Sequence, residues 1–387
     1  MSQQPVGYLI SAVILSVGTV WALTRLRGGI LGFISLYFGN TVNELPFFAL
    51  LFLLFNTGLA AIQNDLNPVV GRIALGLSML CAVGLIVVIR RAARAAPTIA
   101  RALDHGIGPA WREYGAGANR LFQPRALLGP FFRRRGNVER TGNLRYGDAG
   151  KYNLLDVYRH RSRPDNCPVF IHFHAGGFTQ GSKNSQALPL IYALASKGWL
   201  CISANYRLGR ATAYPDALID AKKVIHWVRA HAGEYGADLD AIIVAGGSAG
   251  GQMAIAAACT ANDPRFQPGF ESADTSVSAA IAFYGYYGWP LPPFPPDTPP
   301  LMVLHGDLDT AVPVEDARAF IHQARQESEN PVLYAELPGA HHNFDLFHSI
   351  RSEAVIAGVE AFTAWLAVND RATLFAEGNA TGRQAAG

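Results

Sequence analysis

Gly246-Gly247-Ser248-Ala249-Gly250-Gly251 follows a short β-branched run, Ala241-Ile242-Ile243-Val244-Ala245, and opens a small-residue helical run at 252–261. The reading is strand, sharp turn, helix, with a serine at the turn and glycines two residues to either side. Such a turn strains the serine backbone, and a larger residue at Gly246 or Gly250 would clash with the strand or helix beside it. Taken alone, G-x-S-x-G is a weak signal, because Gly and Ser are common in strand–helix turns. Its context decides the reading.

Working outward, continuous apolar runs at 154–158, 168–174, 199–204, 241–245, 277–283, 301–305 and 332–337 read as strands. Helical patterns at 185–197, 215–232, 252–261, 314–327 and 350–368 alternate with them. Apolar strands alternating with helices predict a mainly parallel, doubly wound sheet covered on both faces. Active sites in such sheets sit at the carboxyl ends of strands.

Each chemically suggestive motif falls at such an end. Ser248 is the candidate nucleophile, and a serine hydroxyl needs a base within hydrogen-bond reach. His342, in Pro338-Gly339-Ala340-His341-His342-Asn343-Phe344 just after the last strand, is the favoured base, with His341 as competitor. The acid is expected after the 301–305 strand, in His305-Gly306-Asp307-Leu308-Asp309. Asp309 is favoured and Asp307 is the fallback. Its task would be to accept the histidine Nδ1–H, fix the tautomer and stabilise the imidazolium. The bland alternative is that both aspartates only cap the helix that follows. Upstream, Phe173-His174-Ala175-Gly176-Gly177-Phe178 follows a strand and can turn consecutive N–H groups inward. Gly176, Gly177 and the Ala249 N–H are the candidate oxyanion donors, with His174, Gly246 and Gly250 supporting the turns. The order Ser248…Asp309…His342 is the α/β-hydrolase order.

Residues from about 145 to 368 resemble α/β-hydrolase-fold carboxylesterases of the hormone-sensitive-lipase type and their feruloyl-esterase and formamidase-like relatives. The resemblance rests on Leu155-Asp156-Val157-Tyr158, His174-Ala175-Gly176-Gly177-Phe178 with Gly181-Ser182-Lys183, and Asn205-Tyr206-Arg207-Leu208. It extends to Tyr214-Pro215-Asp216-Ala217, the Ser248 turn, His305-Gly306-x-x-Asp309-x-x-Val312-Pro313 and His342-x-Phe344. It implies a serine esterase needing no metal or organic cofactor. Ala175 replaces the first glycine of the family's HGGG signature, a small change that keeps the turn. Little sequence separates the 277–283 and 301–305 strands, so no large internal lid is expected there.

Composition sets the remaining bounds. At 387 residues the chain holds a full catalytic domain plus something smaller, and a net charge of +3 gives no global support for a nucleic-acid partner. Cys81, Cys167, Cys201 and Cys259 show no metal-binding spacing and read as reduced core residues.

The first ninety residues are mostly apolar, with almost no lysine or acid. Segments 6–24, 45–62 and 69–89 each approach the ~20 residues a helix needs to cross ~30 Å of hydrocarbon. Residues 1–7 carry no basic stretch, so a cleaved signal peptide fits poorly. The 30–38 stretch, too short to cross alone, either lies in the interface or extends the second helix. Arg25 and Arg27 follow the first span, and Arg90, Arg91 and Arg94 follow the third; Arg72 alone opposes them. The arginine count puts the N-terminus outside and the catalytic domain on the cytoplasmic side.

The region from 91 to 144 is expected to be a basic juxtamembrane linker. Its arginines and interleaved Trp111, Tyr114, Leu121, Phe122, Phe131 and Phe132 suit either a lipid-lying segment that caps the site or a solvated linker. The catalytic domain follows at 145–368, and 369–387 is expected to be a disordered tail.

The expectation is a membrane-anchored serine carboxylesterase or lipase, acting through an acyl-enzyme on esters that the anchor suggests are lipid-derived. An arylformamidase or amidase is the first rival, since the same triad cleaves C–N bonds. A catalytically inert membrane scaffold is the second. A transporter-like role is weak, because the spans carry no charge near mid-membrane.

Overall fold

The computed structural model describes residues 6–26, 28, 32, 34–114, 134–209, 214–288 and 293–384, with side chains as far as 368. Arg27 and the 115–133 part of the basic linker lie outside the described residues.

Eight strands form one sheet: β1 (Val138–Arg145), β2 (Leu154–His160), β3 (Cys167–Phe173), β4 (Leu200–Ala204), β5 (Ala237–Gly247), β6 (Ala279–Phe283), β7 (Leu301–Gly306) and β8 (Val332–Leu337). Their order is β1-β2-β4-β3-β5-β6-β7-β8. β1 and β2 run antiparallel at one edge, and every pair from β4 to β8 is parallel.

Alternation along the strands divides the core between the two faces. Val169, Ile171, Ile242 and Val244 join one apolar cluster with residues of the Asp216–Ala230, Ala249–Cys259 and Val314–Glu327 helices. Phe170, Ile243 and Ala245 join the other with residues of Ala95–Ile107, Leu188–Ala195 and Ile350–Gln384. This is the α/β-hydrolase architecture. All four cysteines are free and buried.

Three details differ from expectation. The sheet begins at Val138, before the domain start placed at 145. β1 is a polar edge strand in which Val138 alone is buried, so no apolar run marks it. The last helix continues to Gln384, into the 369–387 stretch expected to be a disordered tail; Arg371, Ala372, Leu374, Ala376 and Glu377 are residue types with good helix propensity. In the basic linker, Ala95–Ile107 buries Ile99 and Leu103 in the second core cluster, and Trp111 joins them. The Trp111 indole donates to Asp104 Oδ1 at 2.9 Å. Residues 95–111 are therefore a layer of the catalytic domain, and no described linker residue lines the candidate cavity.

The N-terminal region forms helices α1 (Val6–Leu23), α2 (Pro46–Ile62) and α3 (Val69–Ala93). Before α2 comes a hook, made of a π-helical turn Ser35–Gly39 and a short helix Asn40–Glu44. By length and composition α1 and the Val69–Ile107 run are able to cross a membrane, and a third span exists if the hook and α2 count as one, bent by 84°. Their buried sides meet through small and polar contacts, as in Tyr8 Oη to Ser78 Oγ at 3.1 Å. A Cβ on Gly84 would come within 2.6 Å of the Thr19 methyl. Outward, Val17, Val20, Leu54, Phe55, Leu80 and Val83 are exposed. Arg91 Nη1 donates to the Leu23 carbonyl at 3.1 Å, so the C-terminal ends of α1 and α3 lie together.

Candidate active site

Ser248 follows β5 and precedes the Ala249–Cys259 helix, with φ 53° and ψ −116°. Holding a non-glycine residue there costs on the order of 1–3 kcal/mol, which the surrounding packing must offset. The packing is close. A Cβ on Gly250 would come within 2.1 Å of the Phe173 carbonyl oxygen, and one on Gly246 within 2.3 Å of Gly250. These glycines let strand, turn and helix close around the serine. The Ser248 N–H donates to the Phe283 carbonyl at 2.9 Å, and its own carbonyl accepts from Tyr286 N–H at 3.1 Å.

After β7 and β8 two loops meet. The His342 ring places Nδ1 2.8 Å from Asp309 Oδ2. Asp309 Oδ1 accepts the N–H groups of Ala311 and Val312, each at 2.8 Å, which fixes the carboxylate's direction. Burial alone would raise the Asp309 pKa. The charge and hydrogen bond of His342, His305 and the Val312 N–H outweigh it and hold the carboxyl below its usual range. The competitors are otherwise engaged. Asp307 accepts the Gly339 N–H at 2.7 Å, and burial raises its pKa. His341 points its Nε2 at the Ala22 carbonyl, 3.2 Å away, and burial lowers its pKa to about 4. That hydrogen bond and the low pKa make it a neutral donor to α1.

The β3–helix loop supplies the third part. Ala175 N–H is taken by Gln186 Oε1 at 2.6 Å. Gly176, Gly177 and Ala249 then line the same cavity as Ser248 and His342. Gly176 has φ 141°, and a Cβ there would meet the Gln180 carbonyl oxygen at 1.9 Å, so only glycine fits. Buried His174 stacks on Tyr206 at 4.4 Å and places Nδ1 2.8 Å from the Ala175 carbonyl. Burial lowers its pKa to about 4, so it supports the loop as a neutral ring. Lys183, buried with Asp156 at 2.8 Å, ties the loop to β2, and Arg140 of β1 bonds the same carboxylate at 2.6 Å.

The cavity holds about 660 Å³. Sequence reading missed several residues around it. Gln186 bridges the Ala175 N–H and, through Nε2 at 3.0 Å, the Asn343 side chain beside His342. Tyr286 and Leu346 line the cavity, as do Leu36 and Tyr37 of the hook. The hook is pinned to the histidine loop: Asn40 Nδ2 donates to the Asn343 carbonyl at 3.3 Å, and Asn43 Nδ2 to that of Gly339 at 2.8 Å. One signal was available. Asn40, Asn43 and Glu44 interrupt an otherwise apolar stretch, and polar groups in such a setting mark a functional or packed face.

Comparison with known proteins supplies the kinship. The BD-FAE family model matches residues 155–288. The "Probable carboxylic ester hydrolase LipM" of Mycobacterium tuberculosis is 36% identical over 409 aligned residues, covering 93% of each chain. The chain belongs to the carboxylic ester hydrolases. Esterase LipQ of the same organism is 38% identical over 57% of this chain and 61% of its own. Among solved structures, Thermogutta terrifontis esterase 2, phosphoramylated by tabun, superimposes with a TM-score of 0.50 and 26% identity, covering 59% of this esterase and 94% of that chain. This esterase is thus an ester-hydrolysing enzyme, which removes the inert scaffold from the rivals.

Proposed function

We propose that this carboxylesterase is membrane-anchored and works through a Ser248–His342–Asp309 triad. Ser248 Oγ attacks the ester carbonyl carbon while His342 Nε2 takes its proton. The carbonyl electron pair becomes an oxyanion held by the Gly176, Gly177 and Ala249 N–H groups. Collapse breaks the C–O bond, the imidazolium returns the proton to the departing alkoxide, and an acyl-serine remains. Water, deprotonated by His342, then adds to that acyl group and releases the acid and Ser248. Asp309 keeps the proton on Nδ1 and stabilises the imidazolium without being protonated itself.

The observation that carries this reading is the 2.8 Å contact between His342 Nδ1 and Asp309 Oδ2, which leaves Nε2 as the ring nitrogen for Ser248 on the shared cavity. A fluorophosphonate probe tests it: one adduct, mapped to the Ser248 peptide and missing from Ser248→Ala, is expected. Labelling at another residue would sink the assignment. Ester and anilide analogues of one acyl group separate the esterase from the amidase rival, with the ester expected to react faster.

The anchor is α1, the hook with α2, and α3, with the catalytic domain on the cytoplasmic side. The lipid-suited outward faces and the shared arginine end of α1 and α3 support it. Retention in the membrane pellet after carbonate washing is expected. Release into the supernatant would count against it.

A further inference from the structure

We propose that the 35–44 hook is the acyl-side wall of the active site, and that the substrate is a bilayer-borne amphiphilic ester whose chain lies against Leu36 and Tyr37. The inference rests on the Ser248 reading above and names the substrate class of that site.

The cavity is the starting point. About 660 Å³ is room for a ligand far larger than an acetyl ester, and sites of this size ordinarily enclose most of what they bind. One wall carries the reacting groups, Ser248, His342 and the glycine amides. Leu36 and Tyr37 are contributed from more than two hundred residues before Ser248 and His342 in sequence. They bring apolar surface, joined by Val312 and Leu346.

The hook is a fixed part of the site. Gly18 of α1 lets it approach so closely that a Cβ there would meet Phe38 at 2.8 Å and Val42 at 2.9 Å. Asn40 and Asn43 hold the Asn343 and Gly339 carbonyls on either side of His342. Glu44, wholly buried, bonds the equally buried Arg351 and accepts from Ser349 Oγ at 2.6 Å. A buried charge pair is tolerated only when its geometry is held, so the hook's far end is locked to the last helix.

Its direction identifies the source of substrate. The hook meets α2 at 84°, so when α2 crosses the bilayer the hook lies along the interface. Ile34, just before the hook, is 41% exposed, and Val17 and Val20 are exposed on α1, which packs on the hook at Gly18. The N-terminal region thus offers apolar surface outward, at Ile34, Val17 and Val20, and to the Ser248 cavity, at Leu36 and Tyr37. An ester carbonyl at headgroup depth reaches Ser248 while its chain stays in apolar surroundings. Leaving the bilayer would cost about 0.8 kcal/mol per methylene, and this route avoids most of that.

The test uses the full-length protein in phosphatidylcholine vesicles carrying p-nitrophenyl palmitate, with p-nitrophenyl butyrate as the short ester. Active enzyme is counted by fluorophosphonate titration. Leu36→Trp, which fills the wall, is expected to lower the palmitate-to-butyrate ratio of kcat/KM at least tenfold, and Leu36→Met to restore it. The ratio is independent of how much protein folds. Adding lipid at constant total palmitate ester is expected to slow hydrolysis, because the surface concentration falls. A Ser248-labelled enzyme whose ratio ignores Leu36→Trp overturns the acyl-wall assignment. A rate indifferent to lipid dilution overturns delivery from the bilayer. Failure of wild-type Ser248 to label overturns the underlying esterase reading instead.

Discussion

Arg25 Nε donates to the backbone carbonyl of Asp309 at 3.0 Å, tying the end of the first apolar helix to the loop that carries the acid partner of His342. The same guanidinium forms two 2.9 Å bonds with Glu315 at the start of the following helix. With the His341 bond to Ala22, the loops that carry Asp309 and His342 are both held by the N-terminal region.

Arg25 is accordingly a positioning residue. A hydrogen bond from a charged group contributes about 1.5–3 kcal/mol, so Arg25→Ala is expected to lower kcat about tenfold or more with KM little changed. Arg25→Lys should recover part of the loss. Steady-state kinetics check this; an unchanged kcat would show that the acid loop holds its place unaided.

The two aspartates and two histidines should separate cleanly. Asp309→Asn removes the group facing His342 Nδ1 and is expected to cost on the order of 10⁴ in kcat. Asp307→Asn keeps an acceptor for the Gly339 N–H and His341→Gln a donor for the Ala22 carbonyl, and both should cost far less. Equal losses at Asp307 and Asp309 would contradict the assignment.

Sequence carried much of this and stopped at identifiable places. The serine turn was legible because close packing leaves room only for glycine at 246 and 250. The parallel strands were legible because burial on both faces requires unbroken apolar runs, and the helix expected at 314–327 has those bounds. Asp309 was favoured over Asp307, but the feature that sets them apart, the Ala311 and Val312 amides holding Asp309 Oδ1, belongs to loop geometry that spacing does not display. β1 was invisible because an edge strand buries little. The hook was missed because its partners, Gly339, Asn343 and Arg351, lie some three hundred residues away.

Stability should fall on mild acidification. Burial lowers the pKa of His172 from the ordinary 6.5 to about 3, and those of His174 and His341 to about 4. Between about 4 and 6.5 the unfolded chain binds protons that the folded chain refuses, so stability is full above 6.5 and declines as pH falls toward 4. Each histidine contributes a slope of up to about 1.4 kcal/mol per pH unit. Thermal midpoints from pH 7.5 to 5 check it; a midpoint that holds steady or rises would contradict the buried neutral rings.

Gly250→Ala places a methyl on the Phe173 carbonyl, 2.1 Å away, where backbone must shift on both sides. Overpacking of this kind costs about 1–3 kcal/mol. A lowered melting midpoint together with weaker fluorophosphonate labelling is expected; wild-type values for both would mean the turn is looser than the geometry requires.

The most direct test of the account is hydrolysis of p-nitrophenyl butyrate by the full-length enzyme and by Ser248→Ala in detergent. Loss of a triad serine costs on the order of 10⁶ in kcat, so the variant is predicted to fall to the uncatalysed background. A Ser248→Ala enzyme that retained the wild-type rate would place the nucleophile elsewhere and contradict the mechanism.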